Sequence, residues 1–341
     1  MAEFTIISHD RKPLRNMLPL KKPLSLFIEP TNLCNFKCTP CVHGSKNTLN
    51  DLKPLKHMDM VLYNKLIREL QDWEGPKIKL LRLAMLGEPL LNSDFPEMVR
   101  IAKEADIAER IDTFSNGSLL TQDISRQLIE YGLDVIRFSV YAAEDSHHYN
   151  VTQTHIPVSR IRANIKELRN MRDAAGAVKP YIFVKMFDTY SDENKTFFDL
   201  YQGIADEIGL EKVHNATNYS GNDLVNMYYK NAEKELRANQ EYKNSLNNDR
   251  ITCSRPFIAM VINNIGDCLM CTHDPAKGTK IGNSYKSTLQ ELWNGDNMFK
   301  FRKMLLEGRK HENRICANCD WFKLFPEEDN VDGFPVEKLR I

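Results

Sequence analysis

Cysteine in this 341-residue chain is confined to two stretches. Cys34, Cys38 and Cys41 follow one another with the spacing Cys-x3-Cys-x2-Cys. No cysteine occurs between Cys41 and Cys253, and the remaining five lie in the C-terminal part of the sequence: Cys253, Cys268, Cys271, Cys316 and Cys319. This clustering argues against the use of cysteine as a small apolar filler and favours two metal-binding sites.

The first three cysteines can supply three ligands to one iron–sulfur cluster. They lie in a loop rich in turn-forming residues, directly after a predicted strand. Three thiolates at this spacing can bind three irons of a four-iron cluster and leave the fourth iron open to an exogenous ligand. A zinc site completed by His43 is the alternative, because structural zinc sites are closed by four protein ligands.

Composition excludes several classes of protein. The chain has 46 basic and 46 acidic residues, so it lacks the positive charge expected of a nucleic-acid-binding protein. It contains no apolar stretch near the roughly 20 residues that a membrane helix needs, and its first residues do not form a secretory signal. We therefore expect a cytoplasmic protein that binds neither membrane nor nucleic acid.

Between positions 23 and 221, short β-branched runs alternate with longer helical patterns. The predicted strands are Leu24–Glu29, Ile78–Met85, Arg110–Phe114, Val135–Tyr141, Tyr181–Phe187 and Glu211–Ala216. The predicted helices are Val61–Trp73, Phe95–Ala105, Gln122–Tyr131, Val158–Ala174 and Glu193–Ile208. This alternation predicts an α/β fold with a parallel sheet, open or barrel-like. Too few repeats are present for an eightfold barrel, so we expect a partial (β/α)6 barrel of TIM type.

The sequence after the barrel has a different texture. Residues 222–252 are rich in Asn, Lys, Glu and Tyr and predict a helical linker. Phe257–Ile262 and Cys268–Thr272 flank a turn containing Asn and Gly, which favours a β-hairpin, and a helix is expected at Thr288–Glu307. The expected domains are an N-terminal extension (1–22), the barrel (23–221), the linker (222–252) and a small α+β domain (253–341).

The cysteine loop resembles the signature of the radical S-adenosylmethionine (SAM) superfamily, which follows the first barrel strand. The resemblance implies that Cys34, Cys38 and Cys41 bind a [4Fe–4S] cluster whose open iron binds the amino and carboxylate groups of SAM. An electron from the reduced cluster then cleaves SAM to a 5′-deoxyadenosyl radical, which abstracts hydrogen from a substrate. The chain departs from the family at Pro40, where relatives usually carry an aromatic or bulky residue.

Two turns at strand ends add to this resemblance. Gly87, Glu88 and Pro89 close the second strand and are similar to the Gly-Gly-Glu-Pro motif of the family, with Leu86 in place of the first glycine. A carboxylate and nearby carbonyls can accept hydrogen bonds from the SAM ammonium, and a glycine lets the backbone approach closely. Asn116 lies in a Ser-Asn-Gly turn that resembles the Thr-Asn-Gly turn of relatives. Both turns are expected to bind SAM, although each sequence is also typical of a simple turn.

Ser139 on the fourth strand matches the serine that contacts the SAM carboxylate or ribose in relatives. Tyr141 follows, where relatives have Asp-Gly, and we expect it either in the substrate space or in the core. The arginine that relatives place a turn later is missing, and Arg160 or Arg162 is the expected substitute. Residues near strands five and six are further candidates for lining the cavity, with Met186 assigned to SAM binding: Lys185, Met186, Asn218 and Tyr219.

The C-terminal cysteines resemble the SPASM and twitch domains that add auxiliary clusters to radical SAM enzymes. On that pattern the four ligands of a second [4Fe–4S] cluster are Cys253, Cys271, Cys316 and Cys319. No cysteine follows Cys319, so the short, one-cluster twitch form is the better match. Cys268 is left over, either as a structural thiol, as a replacement ligand or as a hydrogen-atom donor. A zinc ribbon made from two cysteine pairs is the alternative for the whole domain.

The resemblance covers roughly residues 23–325 and implies a radical SAM oxidoreductase. The short segment before the first strand leaves no room for a peptide-recognition module, so a small-molecule substrate is expected. The expected electron donor is reduced flavodoxin or ferredoxin. The twitch form resembles dehydrogenases of sugar or aminocyclitol hydroxyls, in which a ketyl radical passes its electron to the auxiliary cluster. The alternatives are an epimerase with Cys268 as hydrogen donor, a peptide-modifying enzyme, and a non-catalytic zinc or electron-transfer protein.

Overall fold

The computed structural model describes residues 11–44, 46–215 and 223–340. In these ranges nine strands form one sheet in the order β6-β5-β4-β3-β2-β1-β7-β8-β9. The strands are β1 (Ser25–Ile28), β2 (Leu80–Leu83), β3 (Ile111–Ser115), β4 (Val135–Ser139), β5 (Tyr181–Phe187), β6 (Glu207–Glu211), β7 (Ala259–Ile262), β8 (Asp267–Leu269) and β9 (Lys280–Asn283).

Helices connect these strands, and several of them pack against one face of the sheet. They are α1 (Lys46–Asp51), α2 (Met60–Asp72), α3 (Phe95–Glu104), α4 (Gln122–Glu130), α5 (Asp145–Thr152), α6 (Val158–Ala174), α7 (Glu193–Tyr201), α8 (Leu224–Tyr229), α9 (Ala232–Ser245), α10 (Arg255–Ile258), α11 (Leu289–Asn294) and α12 (Asp296–Leu306). Within the described part of the chain, no helix has the length and apolar character needed to cross a membrane.

The first six strands lie side by side in chain order, and each neighbouring pair is parallel. The predicted α/β class and partial barrel are confirmed. β5 and α6 show why these segments fold as they do. Ile182, Val184 and Met186 alternate along β5 and are buried with the helices. In α6, the buried residues, among them Ile161 and Ile165, recur every three or four positions, which is helical spacing.

The C-terminal hairpin continues the barrel sheet. β7 pairs in parallel with β1, with Phe27 opposite Val261, and β8 and β9 then add antiparallel strands. The predicted hairpin is present with shorter strands, while β9 was not predicted. Because β1 has β2 on one side and β7 on the other, the barrel and the C-terminal region share one hydrogen-bonded sheet.

Two predicted elements differ from the structure near glycines. The strand predicted at Glu211–Ala216 is wrong: β6 occupies Glu207–Glu211, because α7 ends at Tyr201 and Gly203 turns the chain with a φ of +74°. The helix predicted at Thr288–Glu307 is divided into α11 and α12 at Gly295, which begins α12 in an extended conformation. Asn218 and Tyr219 lie outside the described residues.

Trp293 fastens the C-terminal region to the start of the barrel. Its ring is fully buried, and its indole Nε1 donates a 2.7 Å hydrogen bond to the carbonyl oxygen of Leu20. The Arg302 guanidinium lies 4.1 Å from the ring centroid. The indole therefore combines apolar burial, a cation–π contact and a hydrogen bond that joins segments far apart in sequence.

We expect Trp293→Phe to lower the free energy of unfolding by about 2 kcal/mol, because it leaves the Leu20 carbonyl without its donor and removes buried ring area. Urea unfolding monitored by circular dichroism measures this change. Trp73→Phe is the matched control, since Trp73 is also buried (5% exposed) but lies at the end of α2. An unchanged stability of the Trp293 variant would contradict the fastening role.

Candidate cofactor and substrate sites

The loop Cys34–Cys41 follows β1 and is held by the end of α5. The backbone amides of Lys37 and Thr39 donate hydrogen bonds to the carbonyls of Thr152 and Val151, at 3.1 and 2.8 Å. α5 was not among the predicted helices. Its C-terminal carbonyls have no partners within the helix, and the cysteine loop uses two of them to fix its own course.

Asn116 ties the Ser-Asn-Gly turn to the cysteine loop. Its Nδ2 donates to Oδ1 of Asn35 at 2.9 Å, and its Oδ1 accepts from the backbone amide and the hydroxyl of Ser118. Asn35 in turn donates to the Ser118 hydroxyl at 2.9 Å. The amide of Asn116 is therefore engaged with protein, and the residue positions the loop. Direct SAM binding by this side chain stays a prediction.

Glu88 joins the ends of β2 and β3. Its Oε1 accepts hydrogen bonds from the Ser115 hydroxyl at 2.8 Å and from the Leu90 amide at 3.1 Å, and its Oε2 accepts from the Asn116 amide at 2.7 Å. Burial raises the pKa of Glu88 to about 7, against the opposing effect of these donors. A carboxylate offers about four acceptor positions, so one remains on Oε2 for a ligand such as the SAM ammonium.

Gly87 is required where the β2 turn touches the cysteine loop. A Cβ atom at this position would lie 2.2 Å from the carbonyl oxygen of Thr31 and 2.6 Å from that of Leu33. The Glu88 amide donates to the same Leu33 carbonyl at 2.8 Å. Pro89 begins a one-turn 3-10 helix, Pro89–Leu91, and at this first position a missing N–H costs nothing.

A buried acid missing from the predicted set joins the end of β2 to the β7–β8 turn. Glu29, at the end of β1, accepts hydrogen bonds from the amides of Leu86 at 3.1 Å and Asn264 at 3.2 Å. Burial raises its pKa to about 7. Asn264 lies in the β7–β8 turn, so one carboxylate holds the second strand end and the C-terminal hairpin. A lone acid before Pro30 carries no motif that would have indicated this role.

The first three thiols are suited to a cluster rather than to a site completed by His43. The His43 Nε2 donates to the Leu86 carbonyl oxygen at 3.1 Å. Among residues 11–44, 46–215 and 223–340, no group of His, Cys, Asp or Glu converges tightly enough for a single metal ion. Burial raises the pKa of Cys34 to about 12 and also raises the pKa of Cys41, so bound metal would displace protons from these thiols.

Ser139 and Tyr141 lie at the end of β4 and beyond it, on the face opposite to the buried Phe138 and Val140. The Tyr141 ring stacks on Phe187 with centroids 4.9 Å apart. Burial raises the pKa of Tyr141 well above its ordinary value, and negative charge on Cys38 and Cys41 adds to the rise. Tyr141 is therefore close to the cysteine loop, although its role in catalysis stays a prediction.

Met186 lies on the other face of β5. Its side chain is 1% exposed and belongs to the core between the sheet and the helices. Lys185 and Phe187, its neighbours in the strand, have the opposite orientation. Nothing in this placement supports the predicted contact between Met186 and SAM.

The four cysteines predicted to hold an auxiliary cluster line one cavity. The cavity has a volume of about 50 Å³ and its walls include Cys253, Cys271, Cys316 and Cys319. The backbone amide of His273 donates to the Cys271 sulfur at 3.3 Å. Lys310 donates through Nζ to the carbonyls of Cys316, Ala317 and Cys319. A closed set of four thiols with a donor to sulfur fits an iron–sulfur cluster.

Cys268 lies apart from this cavity. It is fully buried in the core, on β8, opposite Ile262 of β7. Burial raises its thiol pKa. This placement favours the structural alternative for Cys268 and lends no support to the hydrogen-donor role that epimerisation requires.

Family models match both regions. The radical SAM superfamily model matches residues 28–181, and an iron–sulfur cluster-binding (SPASM) model matches residues 253–320. The chain therefore carries a radical SAM domain and a SPASM domain. The first domain implies SAM and a [4Fe–4S] cluster as cofactors, and the second implies further iron–sulfur binding. The cavity with four cysteines lies within the SPASM match.

Two curated relatives differ in how much of the enzyme they cover. This chain is 23% identical over 303 residues to the S-adenosyl-L-methionine-dependent 2-deoxy-scyllo-inosamine dehydrogenase of Niallia circulans. The match spans 88% of this chain and 94% of that protein. The chain is 31% identical over 164 residues to the tungsten-containing aldehyde ferredoxin oxidoreductase cofactor-modifying protein of Pyrococcus furiosus. That match spans 48% of this chain and only 43% of the relative.

Solved structures share the fold of the enzyme. BtrN in complex with AdoMet and 2-DOIA is 19% identical, with a TM-score of 0.55 and coverage of 92% of this chain and 96% of BtrN. SuiB of Streptococcus suis bound to precursor peptide SuiA is 16% identical, with a TM-score of 0.63 and coverage of 90% and 73%. Native anSMEcpe with bound AdoMet is 14% identical, with a TM-score of 0.59 and coverage of 93% and 95%.

We expect Gly87→Ala to reduce cluster assembly at the first three cysteines, because the new Cβ overlaps backbone oxygens that cannot rotate away. Iron and sulfide per chain after anaerobic reconstitution should fall to about the level of a Cys34/Cys38/Cys41 triple alanine variant. Gly282→Ala is the matched control: its Cβ would meet the flexible Cδ2 of Leu292. Full iron content in the Gly87 variant would contradict the close packing.

We expect Cys268→Ala to keep the full iron content and to lower the free energy of unfolding by about 1 kcal/mol, as for loss of a small buried group. Cys271→Ala, three residues away, should lose auxiliary iron. Iron analysis on both variants after the same reconstitution makes the comparison. A loss of iron from the Cys268 variant equal to that of Cys271→Ala would show that Cys268 is a ligand.

Proposed function

We propose that this enzyme oxidises an alcohol carbon of a small molecule of the sugar or aminocyclitol type, with the auxiliary cluster as electron acceptor. The observation that carries the proposal is the combination of a SAM-type cysteine loop and one closed cavity with four cysteines. The dehydrogenase of Niallia circulans, which matches most of this chain, supports the same chemistry. Reduced flavodoxin or ferredoxin is the proposed electron donor.

The electron balance of the reaction explains two cofactor sites. Oxidation of a carbinol to a ketone removes one hydrogen atom, one proton and one electron. When bound, SAM and its cluster would supply the radical that takes the hydrogen atom, and the auxiliary cluster would supply the acceptor for the electron. The proton leaves from the hydroxyl to a base or to water. We assign the first site to Cys34, Cys38 and Cys41, and the second to Cys253, Cys271, Cys316 and Cys319.

In this proposal, residues at the open end of the barrel bind SAM and shield the radical from water. Glu88 and Gly87 fix the β2 turn against the cysteine loop and leave an acceptor position for the SAM ammonium. Ser139 and Tyr141 border the same edge on β4. Phe187, which stacks on Tyr141, continues the wall, and its apolar surface helps to exclude water from a reactive radical.

Aromatic residues extend from His214 toward the auxiliary cysteines. Burial raises the pKa of Tyr141 and lowers that of His214, and the negative charge on Glu211 makes a smaller contribution at both groups. His214 packs with its ring centroid 5.1 Å from that of Trp321, and Trp321 lies 4.6 Å from His273, beside Cys271.

We expect the reconstituted enzyme, reduced with dithionite, to form 5′-deoxyadenosine and one ketone product. With an alcohol deuterated at the carbinol carbon, the label should appear in 5′-deoxyadenosine, as measured by mass spectrometry. The Cys34/Cys38/Cys41 triple alanine variant should form neither product. Cys316→Ala with Cys319→Ala should still form 5′-deoxyadenosine but lose at least tenfold in ketone, because the electron acceptor is removed.

Heavy water supplies the deciding comparison. In the dehydrogenase reaction the ketone forms without deuterium from solvent at the reacting carbon. A product with solvent deuterium at one inverted carbon and no ketone would overturn the proposal in favour of epimerisation. Ketone formation that does not depend on the C-terminal cysteines would overturn the assignment of the acceptor.

A further inference from the structure

Charged side chains line the concave face of the barrel below Ser139. Arg82 on β2 donates from Nε and Nη2 to the two carboxylate oxygens of Asp112 on β3, both at 2.6 Å. Lys185 on β5 donates to both oxygens of Glu211 at 2.7 Å. Each of these two acids therefore has a cationic partner that uses both of its oxygens.

Phe114 marks the centre of this charged face. The guanidinium of Arg82 lies 4.6 Å from the centroid of the Phe114 ring, that of Arg137 lies 5.5 Å away, and the Lys185 ammonium lies 5.0 Å away. Lys185 is on β5 and Phe114 is on β3, so this contact spans an intervening strand. Only side chains that project into the concave side of a curved sheet can meet in this way.

Arg137 is the cation in this group whose charge is poorly matched. Its Nη2 lies 3.7 Å from Oδ2 of Asp112, beyond hydrogen-bond distance, and that carboxylate already binds Arg82 bidentately. Its Nε is buried and has no hydrogen-bond partner among the described residues. Only 15% of the side chain is exposed. An unpartnered buried donor on a charged group is costly, and an anionic ligand would remove that cost.

The strand register separates this cation from the predicted SAM edge. Arg137 precedes Ser139 by two residues on β4, which places it about 7 Å deeper along the strand. Arg160 and Arg162, the predicted partners of the SAM carboxylate, lie on α6, on the outer side of the sheet. Arg160 borders a polar groove between α4 and α6 rather than the barrel interior.

We propose that Arg137 binds a carboxylate or phosphate group of the substrate, so that the alcohol oxidised by this enzyme is an anionic polyol such as a sugar acid or a sugar phosphate. The inference rests on the proposed dehydrogenase function and narrows its substrate class. A guanidinium presents paired donors that match either group bidentately. The ring faces of Phe114 and Phe183 hold the guanidinium plane in position.

Anion binding is measured on the reconstituted holoenzyme with SAM present. Inorganic phosphate and acetate serve as probes, each compared with sodium chloride at equal ionic strength, by isothermal titration calorimetry and by the shift in thermal unfolding temperature. We expect phosphate, acetate or both to bind wild-type enzyme, the preference showing which group the substrate carries. Arg137→Gln should weaken that binding at least tenfold.

Two further variants separate a binding role from a structural one. Arg110→Gln is the matched control, because Arg110 also lies near Asp112, at 3.9 Å, but precedes β3 and has a side chain that is 31% exposed, about twice the exposure of Arg137. It should bind the probes as wild type does. Arg137→Lys keeps the charge without the paired donors, and should recover part of the affinity in a folded protein if Arg137→Gln fails to fold.

Three results would overturn the assignment. The first is that neither probe binds the wild-type enzyme, and the second is that the Arg137 variants bind the probes as wild type does. The third is that Arg137→Gln weakens SAM binding tenfold while probe binding is unchanged. The last result would assign the anion to the SAM carboxylate. SAM affinity is therefore measured for every variant, and we expect it to stay within twofold of the wild-type value.

Turnover distinguishes failure of this inference from failure of the proposed function. Oxidation of neutral or aminated polyols, at the same rate by wild type and Arg137→Gln, would disprove the anion preference and leave the dehydrogenase standing. Anion binding that depends on Arg137, with no alcohol in the panel oxidised, would disprove the dehydrogenase and leave the anion site. Oxidation of sugar acids or sugar phosphates that depends on Arg137 would support both.

Discussion

The buried carboxylate of Glu88 is the interaction on which the catalytic end of the barrel depends. It binds donors from β3 and from its own turn, while the adjacent Gly87 packs without a side chain against the start of the cysteine loop. Three loops that are separate in sequence thus share one small polar core. The same core fixes the backbone of the loop that carries the first three thiols, which is what binding an inorganic cluster requires.

A second buried acid extends this organisation to the C-terminal region. Glu29 accepts one hydrogen bond from the β2 turn and one from the β7–β8 turn, and β7 lies against β1 along its whole length. The distance between the two cysteine sites is therefore set by a rigid sheet rather than by a linker. In the proposed reaction, electron transfer to the auxiliary cluster would benefit from such rigidity, because no domain closure is needed before the electron moves.

The sequence predicted what depends on local patterns and missed what depends on contacts. The bounds of β5 and α6 agree with prediction, since alternation and helical spacing are strong there. The cysteine spacing indicated both cluster regions. Met186 was assigned without regard to which face of β5 it occupies. Glu29 and Arg137 carried no motif, because a buried acid or an unmatched arginine becomes visible only when its neighbours from other strands are known.

The position of β1 between β2 and β7 has a consequence for the architecture as a whole. A barrel that ended before Cys253 would present β1 as an open edge, with a row of unpaired amides and carbonyls beside apolar residues that β7 now covers. Open apolar edges recruit strands from other chains. The C-terminal region is thus also the cap that keeps the first strand from pairing with foreign chains, and the metal-binding module cannot be removed as an independent appendage.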